Sequence, residues 1–335
     1  MRRSAPSRRD PCAPPQRGAL ADRVSATGCS SRFRRRRAWD DIGMNSDGTA
    51  ASLPTLELPE GVTLGTAHGV DALRVDIPAG TAELLFDGAH LISWIPTGHS
   101  DLLWLSPDSV FGEREAVRGG IPLVGPWFGP GRDLAMEVKH GWLRNLRWDL
   151  AAAEREGEEV VLTLSTPEDV KSLTATARFR FGAELSVDLT ITAGPRSLEL
   201  EAALHTYLAV GDVREIEIRG LEGADLLDNT RGLEPDVMPE QPLRLAGSTD
   251  RVVASSAEVT LVDERHGRRI VSTPRGTSKT VVWNPWDELV TAMADIPDAA
   301  WPEFVCIEPA VAKDGFVALA PGESHTIGVT YRLEA

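Results

Sequence analysis

The sequence is poor in cysteine and has no long hydrophobic run. Its three cysteines, Cys12, Cys29 and Cys306, form no CxxC pair, so the sequence supports neither a disulfide framework nor a zinc site built on cysteines. No apolar run approaches the roughly 20 residues that a membrane-spanning helix needs. A protein of the reducing cytoplasm, with no membrane partner, is therefore expected.

Positive charge is also in short supply. The chain has 35 lysines and arginines against 50 aspartates and glutamates, which gives a net charge of −15 at pH 7. A molecule of this charge repels polyanions, which argues against a general affinity for nucleic acid or for acidic membrane surfaces. Any site for an anionic ligand must therefore be local.

Several common catalytic motifs are missing. The sequence contains no GxxxxGK[ST] phosphate loop, no GxGxxG opening a helix, no GxSxG elbow and no HExxH. Nucleotide-dependent, serine-hydrolase and zinc-protease chemistry all lose support from these absences.

The first 43 residues differ from the rest of the chain. They contain eleven arginines and four aspartates, which gives +7, and they lack apolar periodicity. This composition predicts a disordered extension, which we place over residues 1–52. A transit peptide and a nucleic-acid-binding SRFRRRR segment are two interpretations of this stretch. We favour a third, in which translation begins at Met44. Residues 53–335 are predicted to form a single domain.

From residue 53 onward the sequence predicts strands. Apolar and polar residues alternate with a period of two in 72–77, 82–86, 90–95, 159–165, 174–181, 184–191, 197–208, 213–220, 268–273, 279–284 and 325–333. Turn sequences such as FDGAH, EREGEE and ERHGRR separate these runs, and only 287–296 has a helix-like composition. The pattern predicts an all-β fold, a large antiparallel β-sandwich with few short helices.

The stretch from Arg118 to Arg144 is unusually rich in glycine and proline. Gly119 and Gly120 permit a close backbone approach, and the prolines that follow stiffen the segment. Four cationic or titratable side chains occur within it: Arg118, Lys139, His140 and Arg144. A guanidinium pair suits a phosphate or a carboxylate, although a surface loop with solvated arginines has the same composition.

Three later positions also carry possible chemistry. His205 lies near the end of a predicted strand, where a hydrogen-bonded core histidine is the ordinary alternative. Asp250 precedes Arg251 in a predicted turn, where it could be a simple cap. Glu308 interrupts the apolar strand FVCIEPA; a carboxylate is costly to bury unpaired, so it either faces solvent or has a function.

Together these motifs resemble a known family. RGGIP with PWFGP, HGxxRNxxW, LHTYLAVGD, a DR pair, VWNPW and FVCIE occur in this order between about Asp87 and Leu333. They are similar to the glucose-6-phosphate 1-epimerases, the hexose-6-phosphate mutarotases of the wider aldose 1-epimerase group. The resemblance implies a galactose-mutarotase-like β-sandwich. It also implies that the α and β anomers of glucose 6-phosphate, or of another aldohexose 6-phosphate, are interconverted without metal or cofactor.

The resemblance also implies roles for individual residues. His205 matches the general acid and Glu308 the general base, while Arg118, His140, Arg144 and Asp250 match substrate-binding positions. We add Lys139, which stands where the family often has glutamine. Val253 replaces a usual aromatic residue, and Pro309 directly follows the proposed base. We expect a monomer whose partner is a small hexose 6-phosphate.

The proposed roles agree with the chemistry of mutarotation. One base must take a proton from the anomeric hydroxyl while one acid protonates the ring oxygen, and the two roles swap when the ring closes. This scheme requires a charged His205 near neutrality, which a neighbouring carboxylate would favour. Trp127 and Phe128 either stack on the sugar or belong to the core.

Other functions stay open at this point. One is a mutarotase acting on unphosphorylated sugars, which the two arginines argue against. Another is a non-catalytic sugar-phosphate-binding or regulatory protein on the same fold, which the presence of both His205 and Glu308 argues against. A polysaccharide lyase or hydrolase is a more distant alternative, because a fold does not fix its chemistry.

Overall fold

Runs of period-two alternation form strands throughout the described part of the chain. The computed structural model describes residues 57–112, 115–167, 170 and 173–334. Each of the eleven predicted strand runs contains or overlaps an observed strand. The extension predicted over residues 1–52 lies outside the described residues, so that assignment and the domain boundary stay predictions.

The described residues form short and medium-length strands. In chain order these are β1 (Val62–Ala67), β2 (Val70–Ile77), β3 (Gly80–Leu85), β4 (His90–Pro96), β5 (Leu123–Val124), β6 (Asp149–Glu156), β7 (Glu159–Ser165), β8 (Leu173–Phe181), β9 (Leu185–Ala193), β10 (Leu198–Leu200), β11 (Ala202–Leu204), β12 (Tyr207–Ala209), β13 (Glu217–Arg219), β14 (Asp225–Asp228), β15 (Glu234–Val237), β16 (Thr249–Val253), β17 (Val259–Asp263), β18 (Arg268–Arg275), β19 (Lys279–Asn284), β20 (Phe304–Val311), β21 (Val317–Leu319) and β22 (Ser324–Glu334).

Helices are few and short, as predicted. The α-helix in the described part of the chain is α1 (Trp286–Val290), and single 3₁₀ turns occur at Leu143–Asn145, Asn229–Arg231, Trp301–Glu303 and Lys313–Gly315. The helix predicted over 287–296 ends early because i→i+3 bonds, such as Met293 N–H to the Val290 carbonyl, tighten the chain after Val290. None of these helices is long and apolar enough to cross a membrane.

The strands form two large sheets and two smaller ones. One eight-stranded sheet has the order β15-β14-β16-β19-β20-β11-β5, with β12 also paired to β20. The other has the order β13-β17-β18-β22-β9-β8-β7-β6, while β1 to β4 form a four-stranded sheet and β10 pairs with β21. Adjacent strands such as β19 and β20 or β8 and β9 run antiparallel.

The two eight-stranded sheets pack face to face. Val187 and Leu189 of β9 and Val305 and Ile307 of β20 belong to one buried hydrophobic cluster. A hydrogen bond of 2.6 Å from the Tyr331 hydroxyl of β22 to Thr206 Oγ1 also joins the two sheets. These contacts confirm the predicted all-β antiparallel sandwich.

Strand β20 is buried on both faces, and alternation assigns its residues to two environments. Val305 and Ile307 point into the core between the sheets, so Phe304, Cys306 and Glu308 point to the opposite face. The strand thus carries a hydrophobic core on one side and a carboxylate on the other. The site described below is built on this second face.

Some strands carry no recognisable alternation. Strand β5 has only two residues, Leu123 and Val124, between Pro122 and Pro126. Strand β15 has all four of its residues exposed. Elements that are too short or too polar for a period-two pattern escape a prediction from alternation, because tertiary pairing determines them.

Candidate active site

One cavity of about 390 Å³ opens on this face of the sheet. That volume falls within the usual range for small-molecule sites. The cavity is lined by Arg118, Phe128, Gly129, Pro130, Lys139, His140, Arg144, His205, Asn229, Asp250, Val281, Trp283, Leu289, Met293, Glu308 and Lys313. All seven residues that the sequence indicated as site residues are therefore brought together, although they are scattered over nearly 200 residues of chain.

Strand register places the two proposed proton-transfer groups opposite each other. Strands β11 and β12 keep a single register against β20, with Ala203 opposite Ala310 and Tyr207 opposite Cys306. Continuing that register places His205 opposite Glu308. Their side chains meet with 3.4 Å between His205 Nδ1 and Glu308 Oε1.

Pro309 explains why the ladder breaks beside His205. The Ile307 N–H donates to the Thr206 carbonyl at 3.2 Å, so the backbone at position 309 faces the same neighbouring strand. Proline has no N–H to donate there. The opposite carbonyl, that of Leu204, instead accepts the Thr206 N–H at 2.8 Å, and β11 and β12 are consequently separate strands. Pro309 thus shapes the backbone around the site without displacing Glu308 from the cavity.

Burial favours the neutral forms of both groups in the substrate-free protein. The pKa of Glu308 is raised well above its ordinary value, first by burial and then by the charge of Asp250. The pKa of His205 is lowered well below its ordinary value, first by burial and then by the neighbouring His140 and Arg144. Within the described residues, His205 Nδ1 and Glu308 Oε2 have no hydrogen-bond partner. The resting site therefore differs from the sequence-based expectation of a charged His205, because desolvation outweighs the nearby carboxylate.

His140 lies beside this pair in a tightly constrained turn. Its ring centroid is 5.5 Å from that of His205, and its Nδ1 accepts the Gly129 N–H at 3.4 Å. Burial lowers its pKa to about 3, with help from Arg144, so the neutral ring carries its proton on Nε2 and can donate it. The following residue, Gly141, has φ 67°, and a Cβ there would lie 1.9 Å from the Gly125 carbonyl oxygen.

Arg118 is held from two sides. Its Nε donates to Asp295 Oδ2 at 2.9 Å and its Nη1 donates to the Tyr207 hydroxyl at 2.9 Å. The second terminal nitrogen also lies 2.9 Å from Asp295 Oδ2. Its orientation is thus fixed, one donor on each terminal nitrogen is left for a ligand, and Asp295 offsets much of its charge.

Arg144 is positioned by a main-chain carbonyl. Its Nη2 donates to the Lys139 carbonyl at 3.0 Å, while its Nε is buried without a hydrogen-bond partner among the described residues. Burial lowers the pKa of this guanidinium, and the nearby Tyr207 offsets part of that decrease. The backbone of Lys139 therefore orients Arg144, whereas the Lys139 side chain is exposed at the mouth of the cavity.

His90 holds the glycine-rich stretch in place through a hydrogen bond to its backbone. It is 1% exposed, and its Nε2 lies 2.7 Å from the Gly119 carbonyl oxygen, so Nε2 carries the proton and donates it. At Gly120, which has φ 61°, a Cβ would lie 2.3 Å from the Leu91 carbonyl oxygen and 2.9 Å from the His90 ring. The glycine pair thus lets the chain pass close to β4 and brings Arg118 to the cavity.

The buried state of His90 predicts a loss of stability in acid. Burial lowers its pKa from 6.5 to about 4, so the unfolded chain binds a proton first when the pH falls below 6.5. This histidine alone should cost about 1.4 kcal/mol per pH unit down to pH about 4. Denaturant titrations between pH 7.5 and 4 should therefore show a shallower decline for His90→Gln than for the wild type. Parallel curves would contradict this assignment.

Asp250 faces the cavity from β16. Its Oδ2 accepts a hydrogen bond of 2.7 Å from Asn229 Nδ2, and its pKa is raised, first by burial. Asp250 pairs with Trp283 of β19, which in turn pairs with Cys306 of β20. The carboxylate therefore stands on the same face as Glu308, two strands away, where it can accept a sugar hydroxyl.

The aromatic residues divide between the cavity and the core. Phe128 lines the cavity and Trp127 does not; the Trp127 Nε1 donates to the Val138 carbonyl at 2.8 Å instead. Trp283 lines the cavity as well, and Tyr207 stacks on His205 with 4.9 Å between ring centroids. Of the two residues expected to stack on a sugar, only Phe128 is placed to do so.

Val253, which stands where the family usually has an aromatic residue, does not line the cavity. Val253 is fully buried in the main hydrophobic cluster, opposite Thr280 of β19. It therefore affects packing beneath the site and not the shape of the cavity.

His205, Cys306 and Glu308 form a cluster of possible metal-binding atoms. Their ligand atoms all lie within 4.8 Å of one another. Burial raises the pKa of the Cys306 thiol well above its ordinary value, whereas a metal ligand must be a thiolate. Within this cluster, the close approach of His205 and Glu308 also suits proton transfer between them.

Sequence reasoning missed several residues of this site. Lys313 and Asn229 line the cavity, while Asp295 and Tyr207 hold Arg118. Tyr207 lies inside the LHTY motif, and Asp295 is the second-to-last residue of the run that looked helical, so both were visible but had no assigned role. No local pattern marks Lys313 or Asn229.

Comparison with known families agrees with this geometry. The family model described as aldose 1-epimerase matches residues 71–332. The chain belongs to the aldose 1-epimerase family. The matched range contains each of the seven predicted site residues.

Individual relatives are similar over most of their length. A protein of Escherichia coli (strain K12), provisionally named glucose-6-phosphate 1-epimerase, is 33% identical over 253 residues, which cover 73% of this chain and 84% of that protein. One from Cenchrus ciliaris with the same provisional name is 31% identical over 261 residues, covering 72% and 78%. A crystal structure of a provisionally named mutarotase from Salmonella typhimurium superposes with a TM-score of 0.75 at 28% identity, covering 83% of this chain and 95% of that one.

Proposed function

We propose that this member of the aldose 1-epimerase family is a hexose-6-phosphate mutarotase, which interconverts the α and β anomers of glucose 6-phosphate. The observation that carries the proposal is the 3.4 Å contact between His205 Nδ1 and Glu308 Oε1 in a cavity that is also lined by two arginines and two lysines. The provisional names of the relatives support the same substrate class.

The pair holds the protons that mutarotation needs. A neutral imidazole with a protonated carboxyl group contains the same number of protons as an imidazolium with a carboxylate. Moving one proton from Glu308 to His205 therefore prepares the catalytic form without exchange with solvent. Glu308 then takes the proton of the anomeric hydroxyl, and His205 protonates the ring oxygen.

Ring opening and ring closure use the same two groups. When the C1–O5 bond breaks, the substrate becomes an open-chain aldehyde whose C1–C2 bond can rotate. Closure on the other face returns the proton from Glu308 to the new anomeric oxygen and the ring-oxygen proton to His205. The enzyme ends in its starting state, and each group contributes on the order of 10²- to 10⁴-fold when it is well placed.

The cationic side chains suit the charge of the substrate. The chain as a whole carries −15, yet Arg118, Arg144, Lys139 and Lys313 line this cavity against the carboxyl groups of Asp250 and Glu308. A sugar phosphate carries about −1.5 to −2 charges at pH 7. Binding it would offset these cations and hold the ring against the acid and base.

Exchange spectroscopy of the anomeric protons tests the proposal directly. Added enzyme should accelerate the exchange between the anomers of glucose 6-phosphate, and much less that of glucose; nonenzymatic exchange is subtracted from both. Equal acceleration of both sugars would favour an aldose 1-epimerase for unphosphorylated sugars. Binding of glucose 6-phosphate without acceleration would favour a non-catalytic binding protein.

Replacing Arg118 should affect the phosphorylated sugar selectively. Arg118→Ala removes a cation and leaves Asp295, its partner at 2.9 Å, as an uncompensated carboxylate that repels a phosphate. We expect KM for glucose 6-phosphate to rise by about 10- to 100-fold, which is the usual effect of losing a charge-assisted contact. KM for glucose should change far less.

The partner of Arg118 supplies the control. Asp295→Asn keeps the size of the side chain and leaves the guanidinium without its counter-charge, so KM for glucose 6-phosphate should fall or stay constant. If Arg118→Ala weakened both sugars equally, or if both variants raised KM alike, Arg118 would be a structural residue and not a phosphate ligand.

A further inference from the structure

Among the described residues, the ammonium group that Lys313 places in the cavity forms no ion pair. In the part of the chain that the structure describes, no carboxylate lies within ion-pairing distance of it, whereas Lys279 on the neighbouring strand is 2.8 Å from Asp314. The Lys313 Nζ stands 5.7 Å from the centre of the Phe128 ring. A Cβ added to Gly129 would lie 3.8 Å from the same nitrogen. The ammonium group therefore lies over the wall of the cavity formed by Phe128 and Gly129.

The fold holds the backbone of Lys313 in an unusual conformation. Its φ of 59° lies in the left-handed region, which costs a residue other than glycine roughly 1 kcal/mol or more. Its N–H donates to Glu201 Oε1 at 2.7 Å, and the other oxygen of Glu201 accepts the Phe128 N–H at 3.2 Å. Glu201 is 1% exposed. One buried carboxylate thus ties the turn of Lys313 to the loop of Phe128, so the fold fixes the backbone from which the lysine side chain extends over Phe128.

Lys313 and the reacting groups line the same cavity. It follows Glu308 by five positions, and an extended chain advances about 3.3 Å per residue, so the two backbones are roughly 16 Å apart. The long lysine side chain shortens that separation where both residues line the cavity. In a hexose 6-phosphate, the phosphate is several bonds away from C1, beyond C5 and C6. A ring with its C1 at Glu308 can therefore direct its phosphate toward Lys313.

Unlike Lys313, the two arginines of the cavity interact closely with other groups of the protein. Asp295 already compensates Arg118 at 2.9 Å. Arg144 lies close enough to Glu308 and His205 to influence the pKa of both, which places it at the proton-transfer end of the cavity. Lys313 acts on the pKa of Asp250 and of His140, as Lys139 does. Within the described residues, Lys313 is thus a cavity cation that has no ion-pair partner and lies over the wall formed by Phe128 and Gly129.

We propose that Lys313 is a second phosphate ligand, which together with Arg118 determines specificity for phosphorylated over unphosphorylated sugars; this rests on the proposed mutarotase function. The ammonium group pairs with the phosphate of the bound substrate, and Glu201 acts as its positioning residue. Lys313 takes no part in proton transfer, so its contribution belongs to KM and not to kcat.

Substitution of Lys313 by methionine tests the assignment. Methionine keeps an unbranched apolar side chain over Phe128 and removes only the charge. Anomeric exchange should show kcat/KM for glucose 6-phosphate falling by about 10- to 100-fold, mainly through KM, while glucose changes by less than about twofold. Lys313→Arg should recover most of the loss, because it restores a cation at the same position.

The matched control is Lys139→Met, which removes the same charge from the mouth of the same cavity. We expect a loss several-fold smaller than that of Lys313→Met, because the Lys139 side chain is exposed. Equal losses in the two variants would mean that only the general field of the cavity matters, and they would overturn the proposal. An equal loss on glucose and glucose 6-phosphate in Lys313→Met would overturn it too.

A binding experiment separates this proposal from the proposed function. Calorimetric titration with glucose 6-phosphate and with inorganic phosphate needs no turnover, and Lys313→Met should weaken both by about 10-fold or more. If the wild type turned over neither sugar but Lys313→Met still bound both ligands more weakly than the wild type, the mutarotase function would fail and the phosphate site would stand. If the wild type turned over glucose 6-phosphate and both affinities were unchanged in the variant, only the role of Lys313 would fail.

Discussion

Glu308→Gln should slow the anomeric exchange of glucose 6-phosphate by about 10³- to 10⁴-fold, which is the upper range for the loss of one acid–base group. The amide cannot take the proton of the anomeric hydroxyl, and it cannot pass one to His205 across the 3.4 Å contact. The loss should appear in kcat, with the affinity for glucose 6-phosphate largely retained. Exchange spectroscopy measures the first quantity and calorimetric titration the second.

The substitution is a clean one because the site already favours a neutral group. Glu308 is 1% exposed, and burial raises its pKa well above the ordinary value. Glutamine has the shape of the protonated acid, so the thermal midpoint of the variant should equal or exceed that of the wild type. A folded Glu308→Gln variant with wild-type exchange rates would exclude Glu308 as the proton acceptor.

His205→Asn should have the second largest effect, a fall in kcat of about 10²- to 10³-fold. Asparagine places a polar group near the position of Nδ1 but does not titrate, so the ring oxygen loses its proton donor. The stacking of the imidazole on Tyr207, with centroids 4.9 Å apart, is lost as well. The same exchange measurement, at saturating glucose 6-phosphate, reports the fall.

Two further measurements separate chemistry from damage to the structure in this variant. The affinity for glucose 6-phosphate should change by only a few-fold, because the proposed phosphate contacts lie on other residues. His205→Gln, whose amide reaches farther into the cavity, should not restore activity. Wild-type turnover in either folded variant would show that another group protonates the ring oxygen.

The strand content of the fold follows largely from local pattern. Runs such as 184–191 and 325–333 alternate strictly, and they form the neighbouring strands β9 and β22 in one sheet. Alternation identifies the buried face of a strand but not its partner. The pairing of β20 with β11, β12 and β19 could therefore not be predicted, and it is this pairing that builds the site.

The candidate site was predictable where a motif carried it and not elsewhere. His205 and Glu308 were indicated by resemblance, but their contact depends on a register kept over a strand break, which Pro309 imposes. The neutral state that burial favours was not visible either, because desolvation depends on packing from distant segments. Lys313 is one lysine in a polar turn, and only its position over Phe128 gives it a role.

A double-mutant comparison tests the central claim, that His205 and Glu308 act as one proton-exchanging pair. Anomeric exchange of glucose 6-phosphate is measured for the wild type, His205→Asn, Glu308→Gln and the double variant under identical conditions. Groups that act as a unit are strongly non-additive, so the double variant should be about as slow as Glu308→Gln alone. If the two losses multiplied, or if the double variant still accelerated exchange substantially, the two residues would act independently and the account would be wrong.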